Sequence, residues 1–395
     1  MHPIRTHHKH PEGKIFAWMV LILYFGITFI YPIFPSFVKE IVKDDKFVSL
    51  FYSAMALVTL VAALSSTIIF RKVDRAKITR WGFLVAGLTF LSLIFISRIT
   101  ELTVVRTIQV WANLFIIMAI SLFVRDFATA RNLGEEEGLF YRYTNIGCFL
   151  GPLIGGFFAE QFGYEITFII AAIILFCGFG YFYSKNTVQN HPAIIINSPK
   201  TSTGTFFKNI KDNFSTPGGV ESYFMTLFLT IWFGFRGLYI PLYIIASGYT
   251  EEMSGLILAL GIIPFILLEV KVGEYVEKKG IRIPLALGFL IIAAILFIIF
   301  VSPYPILNLI LLILGNIGAA LIEPLQEYTL FKNMSKEDEN RLYGVHMTAN
   351  PIGFFLAPAI GAITLIFLSF NYIFLIFGII MLFASGAFWF KSKRL

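Results

Sequence analysis

Twelve apolar runs, each long enough to cross a lipid bilayer, follow one another along the 395-residue chain. A helix needs roughly 20 apolar residues for one crossing. The runs lie near residues 15–37, 48–70, 79–97, 102–124, 138–160, 165–184, 220–247, 253–275, 283–302, 305–331, 342–369 and 371–390. Most connections are short. The exception, 185–219, is polar and carries Ser, Thr, Asn, Lys and Pro, so it reads as a linker between six spans and six. Only 14% of the residues are charged, with a mean hydropathy of +0.79 and 44 Phe, against about 25% charged in soluble domains. The solvent for most of this chain is lipid, and the class is an all-α membrane protein of twelve transmembrane helices.

The charge distribution sets an expected orientation. The net charge of +7 is a matter of topology and does not indicate nucleic acid: with both termini inside, 23 of the 31 Lys and Arg fall in inner segments. Four, Lys39, Lys43, Lys46 and Arg98, fall outside. Basic residues concentrate on the cytoplasmic side, so both termini are expected in the cytoplasm and the chain in the plasma membrane. The expected organisation is a tail at 1–14, six spans at 15–184, the linker at 185–219, six spans at 220–390 and a tail at 391–395. His7, His8 and His10 read as part of a solvated tail, and Cys148 and Cys177 as small buried hydrophobes. No metal or cofactor is expected.

The second half echoes the first. GLFYRYTNIGCFLGPLIGG at 138–156 spaces Gly138, Gly147, Gly151-Pro152 and Gly155-Gly156 in a pattern that returns 206 residues later as Gly344, Gly353, Ala357-Pro358 and Gly361-Ala362. FRKVDRAKITR, with Asp74 and Arg75, follows span 2; GEYVEKKGIR, with Gly273 and Glu277, follows span 8, its acid–base pair 203 residues on. Tyr24, Thr28, Tyr31 and Pro35 in span 1 and Trp232, Arg236, Tyr239 and Tyr243 in span 7 form two stripes offset by 208. These echoes indicate a duplicated six-helix unit.

With these motifs in place, the chain resembles the major facilitator superfamily. Residues 138–156 match its helix-5 pattern G-x8-G-x3-G-P-x2-G-G, associated with twelve-helix drug/proton antiporters. VDR at 73–75 is similar to the loop 2–3 motif, with Phe70, Lys77 and Ile78 departing from it. LTVVRTIQVWA in span 4 matches L-x-x-x-R-x-x-Q-G at Arg106 and Gln109, with Val110 in place of Gly. The resemblance implies two pseudo-symmetric six-helix bundles around a site of alternating access near the bilayer midplane. It also implies that span 8 is the partner of the span-5 glycine face and span 2 that of span 11.

The physics of these residues gives each a candidate role. Gly147, Gly151 and Gly155 lie at i, i+4 and i+8, which lets helix backbones approach closely in lipid; Pro152 removes a donor and bends the helix. Asp74 faces the positive end of span 11 in the expected arrangement, and Asp126 offers a second acid for Arg75 or Lys77. Charges inside the membrane are functional candidates by default. Arg236 is placed to meet an anionic substrate group or a carboxylate. Glu323, then Glu269, are the proton-coupling candidates, with Arg106 beside Gln109 and Asn113 on span 4. Span 1 carries no acid along its length; the first is Glu40. Tyr24, Thr28, Tyr31, Asn113, Trp232, Arg236, Tyr239 and Tyr243 are expected to line the substrate cavity. His346 and Asn350 are one turn apart in span 11.

No nucleotide-binding glycine loop, paired metal ligands or nucleophile–base pair stands in the chain. The expected function is secondary active transport, proton-coupled efflux of small amphipathic molecules by a monomer in membrane lipid. Two readings stay open beside it: a symporter or uniporter for a sugar or organic anion, and a transport-inactive membrane sensor or scaffold.

Overall fold

The computed structural model describes residues 11–127, 133–185, 208, 211–332 and 345–391. Residues 1–10 with His7, His8 and His10, most of the 185–219 linker, Gly344 and the last four residues lie outside that set, as does the side chain of Asp126. Among the described residues there is no strand. Helices satisfy every backbone donor and acceptor within one segment, which hydrocarbon requires.

The first half comprises α1 (Pro11–Phe29), α2 (Phe34–Val42), α3 (Asp45–Lys72), α4 (Arg75–Ser92), α5 (Ile99–Phe127) and α6 (Leu133–Tyr183). The second comprises α7 (Pro217–Ala246), α8 (Glu251–Leu260), α9 (Ile263–Lys279), α10 (Arg282–Val301), α11 (Pro305–Lys332), α12 (Ala349–Phe367) and α13 (Tyr372–Lys391). Among the described residues, eleven helical stretches are long and apolar enough to cross a membrane. One of them, Gly138–Tyr183, runs for 46 residues. At about 1.5 Å per residue that is more than twice the roughly 30 Å hydrocarbon core. It is two helices joined at Gly163, whose φ of 80° and ψ of 176° are not helical.

Two expected single spans are broken. Span 1 divides into α1 and α2 across a turn at 30–33, where Pro35 occupies the first turn of α2. Span 8 divides into α8 and α9 at Gly261-Ile262, with Pro264 just beyond. Proline at the start of each second piece has no donor to lose there. Polar side chains start the neighbouring helices: Asp44 accepts from Lys46 N at 2.9 Å, Asp74 from Ala76 N at 2.9 Å and Thr250 from Met253 N at 3.3 Å. Asp74 therefore caps its own helix, α4; the start of span 11, which the sequence sets opposite it, lies partly outside the described residues. An N-cap Asp satisfies an otherwise orphaned donor locally, worth about 1 kcal/mol.

Each half has its own packing. In the first, α6 lies along α1 and α4, and α5 along α3 and α4; in the second, α7 lies along α11 and α12, and α10 along α11 and α13. Between the halves α6 meets α8, α3 meets α12 and α2 meets α7. The partners are those the resemblance implied. The faces differ. The row Gly147, Gly151 and Gly155 packs on α1 inside the first half: a Cβ on Gly147 would stand 2.9 Å from Phe25 N, and one on Gly155 would run into the Phe29 carbonyl. The equivalent residues of α12 pack on α7, where a Cβ on Gly353 would stand 2.7 Å from Thr230 Cβ and one on Gly361 would run into the Tyr239 ring. The seam with α8 uses the adjacent face, Pro152 and Gly156. Successive residues on a helix point about 100° apart, so one small-residue motif serves two neighbours.

Candidate functional site

The aromatic stripes separate into packed and accessible residues. Trp232 and Tyr239 are completely buried in α7. Trp232 Nε1 donates to Asn316 Oδ1 at 3.4 Å, and Tyr239 donates to Ser49 Oγ of α3 at 2.9 Å. Tyr243, also buried, accepts from Asn308 Nδ2 at 2.8 Å. Thr28 is buried as well, its hydroxyl donating to Tyr24 O at 2.6 Å and reaching Gly147 O at 3.1 Å. These four candidates for the cavity wall are occupied in holding helices together. A buried hydroxyl or indole N–H needs a partner, and the nearest helix supplies it.

Tyr24, Tyr31 and Arg106 remain accessible, with Tyr31 42% exposed. Within the first half, Arg106 lies within electrostatic reach of Tyr31 and of Tyr52 of α3, and Tyr24 and Tyr31 lie within reach of Cys148 of α6. Cys148 in turn is within reach of Arg236 of α7 and Glu323 of α11, so it sits where the two halves face each other. The carboxyl of Glu269 of α9 lies within interaction range of the Glu323 carboxyl. Cys148 is thus partly accessible and Cys177 exposed, where burial was expected for both. A thiol is apolar enough for either setting.

Arg236 is held by the break in span 8. Its Nη2 donates to Leu258 O at 2.7 Å, and Gly261 leaves room for the guanidinium beside Asn316. The last carbonyls of α8 carry the negative end of the helix dipole. A cation there answers backbone acceptors that the helix itself no longer uses. Sequence reasoning placed Arg236 against a substrate or a carboxylate; the interruption at Gly261, which would have shown this partner, was not read as a break.

At the opposite end from the N-terminus, further polar residues join the halves. Tyr164 donates to Glu251 Oε1 at 3.0 Å, the Glu251 backbone N–H donates to Glu160 Oε2 at 3.2 Å, and Ser254 donates to Pro32 O at 3.2 Å. None of these was singled out from the sequence. Glu251 opens a helix in an apolar region and reads there as an ordinary first-turn acid. The inner motif residues are plainer: Gly138 and Gly273 have open space around them, and Glu277 is exposed. Pro358 of α12 is buried, its carbonyl 3.4 Å from the Tyr239 hydroxyl. His346 is buried between Ser222 and Thr226 of α7, at 3.2 and 3.3 Å, and Asn350 accepts from Thr230 at 2.9 Å.

The family model for the Major Facilitator Superfamily matches residues 16–348. The chain belongs to the Major Facilitator Superfamily. It is 24% identical over 352 residues to an uncharacterized MFS-type transporter of Methanocaldococcus jannaschii, covering 87% of each chain. It is 23% identical over 376 residues to Multidrug resistance protein 2 of Bacillus subtilis, covering 93% of this chain and 92% of that one. Among solved structures, a POT family transporter in complex with 5-aminolevulinic acid superposes with a TM-score of 0.84 at 11% identity, covering 99% of this chain and 98% of that one. The nucleoside transporter NupG superposes at 0.76 with 13% identity, covering 97% and 99%. This superfamily member is a multi-pass membrane transporter, and its relatives are transporters, not enzymes.

Proposed function

We propose that this transporter exports small amphipathic molecules in exchange for protons. In this reading twelve crossings form two six-helix bundles, with both termini on the cytoplasmic side of the plasma membrane, and the protein works as a monomer. The observation that carries it is the Glu269–Glu323 pair beside Arg236 and Cys148, between the halves. In this reading the two carboxyls share a hydrogen bond, which needs a proton on one of them. A change of access that parts the pair, or brings Glu323 closer to Arg236, releases that proton. Coupling then rests on the second half, consistent with a span 1 that carries no acid. The name of the Bacillus subtilis relative supports a drug-like cargo.

The hydrogen bonds that join the turn at 30–33, α3 and α6 to α7 and α8 lie at the end that the charge count puts outside. They support reading this conformation as closed to the outside. Import of an organic anion gains less from Arg236 than its charge promised, because that guanidinium is engaged by Leu258 O. The test is flux in liposomes under an imposed pH gradient. Export predicts dye movement that follows the gradient and stops following it in Glu323→Gln and Glu269→Gln. Movement indifferent to the gradient, or unchanged in both variants, sinks the coupling.

A further inference from the structure

Arg106 of α5 is a charge in the membrane region with little compensation from other side chains. Among the described residues it is in no ion pair, and its electrostatic neighbours are the phenols of Tyr31 and Tyr52. Its guanidinium carbon lies 4.5 Å from the centre of the Phe34 ring, and one nitrogen donates to Gln109 Oε1. A cation in hydrocarbon is otherwise paired or set against carbonyls. Here it has one neutral acceptor and an aromatic face, and five N–H donors to satisfy.

Among the described residues, its electrostatic neighbours include no carboxylate. Gln109, fully buried, turns its Oε1 to Arg106, and its Nε2 has no hydrogen-bond partner. The phenols of Tyr31 and Tyr52 lie within electrostatic reach of the guanidinium. Arg106 is partly accessible and Tyr31 is 42% exposed, so a ligand can reach both. Phe34 and Tyr52, 6.0 Å apart, supply an apolar wall.

We propose that Arg106, with Tyr31 and Tyr52, is the subsite for an anionic head, a carboxylate or sulfonate, and that the cargo is an amphipathic anion whose apolar body lies along the aromatic wall. The planar guanidinium offers two parallel donors to such a group, which an ammonium does not. This rests on the cavity between the halves being the transport site. It makes no use of the proton pair, which lies in the other half.

The test is competitive binding to the full chain in nanodiscs of three matched naphthyl amphiphiles, a carboxylate, an alcohol and an ammonium, at pH 7.5. The carboxylate is expected to bind at least about tenfold tighter than the alcohol, a difference of about 1.4 kcal/mol. Arg106→Gln removes that preference and leaves the alcohol unchanged; Arg106→Lys keeps part of it. Thermal unfolding and a monodisperse elution profile establish that the variants fold. Equal binding of carboxylate and alcohol by the unaltered protein overturns the proposal, as does a preference that survives in folded Arg106→Gln. Should Arg106→Gln not fold, the unaltered protein and Arg106→Lys still decide it: an absent preference, or one that Lys retains in full, overturns it. Failure of proton-driven export is distinguishable, because it shows as flux indifferent to the pH gradient with the carboxylate preference intact.

Discussion

Gly156 of α6 and Gly255 of α8 lie backbone against backbone across the seam between the two halves. A Cβ on Gly156 would stand 2.9 Å from Gly255 Cα and 2.6 Å from the Glu251 carbonyl, and one on Gly255 would run into the Pro152 carbonyl. The obstacles are main-chain atoms, so no side chain can turn aside to make room. Gly255→Val is expected to force the seam apart and favour the outside-open state. In a background without Cys148 and Cys177, a Ser254→Cys reporter should then react faster with an impermeant maleimide. Gly180→Ala, where a Cβ meets open space, is the control. An unchanged labelling rate in Gly255→Val would show that the close approach is not part of the gate.

Gly151 has a different neighbour and a different expected effect. A Cβ there runs into Thr28 Oγ1 and stands 3.1 Å from Phe29 N, both within the first half. Gly151→Ala should cost about 1–3 kcal/mol by overpacking, read as a lower unfolding temperature in detergent. Thr28→Ala in the same chain should recover part of the loss. A gating defect with unchanged thermal stability would contradict this placement.

Tyr164 and Glu251 make a side-chain hydrogen bond across the same seam at 3.0 Å. Tyr164→Phe keeps the ring and leaves a buried carboxyl oxygen without its donor. That loss costs about 1–3 kcal/mol, all of it in the closed arrangement. The expected result is faster labelling of the Ser254→Cys reporter with little change in global unfolding.

Glu269 and Glu323 lie within interaction range of each other, and in the proposed coupling they act as one unit, so their substitutions should not add. Glu269→Gln and Glu323→Gln each should abolish substrate-induced proton release, and the double variant should be no worse than either. Proton release is read with a pH dye in weakly buffered detergent solution. Additive partial losses would mean that the two carboxyls act as separate sites.

Gly163 is the turn that folds α6 back. Its φ of 80° and ψ of 176° lie in a region open essentially to glycine,. Gly163→Ala should cost on the order of 1–3 kcal/mol although a Cβ there touches nothing within 4 Å. Thermal unfolding measures it; an unchanged midpoint would mean that the turn relaxes to another conformation.

The sequence by itself determined the class. Apolar runs of about 20 residues leave a chain in lipid little choice but helices, and the resemblance carried by its motifs implied α6 with α8 and α12 with α3 as neighbours. Which residue faces which neighbour is a matter of helix rotation, and the repeat does not encode it. Only the tertiary structure put the Gly147–Gly151–Gly155 row on α1 and left Pro152 and Gly156 to the seam. The same holds for charge. The sequence marked Arg236, Arg106, Glu269 and Glu323 as costly in lipid. Their partners, the Leu258 carbonyl at a helix break, two phenols and another carboxyl, stand on helices distant in sequence. A membrane charge is legible from composition because its desolvation is local, but what compensates it is chosen by packing.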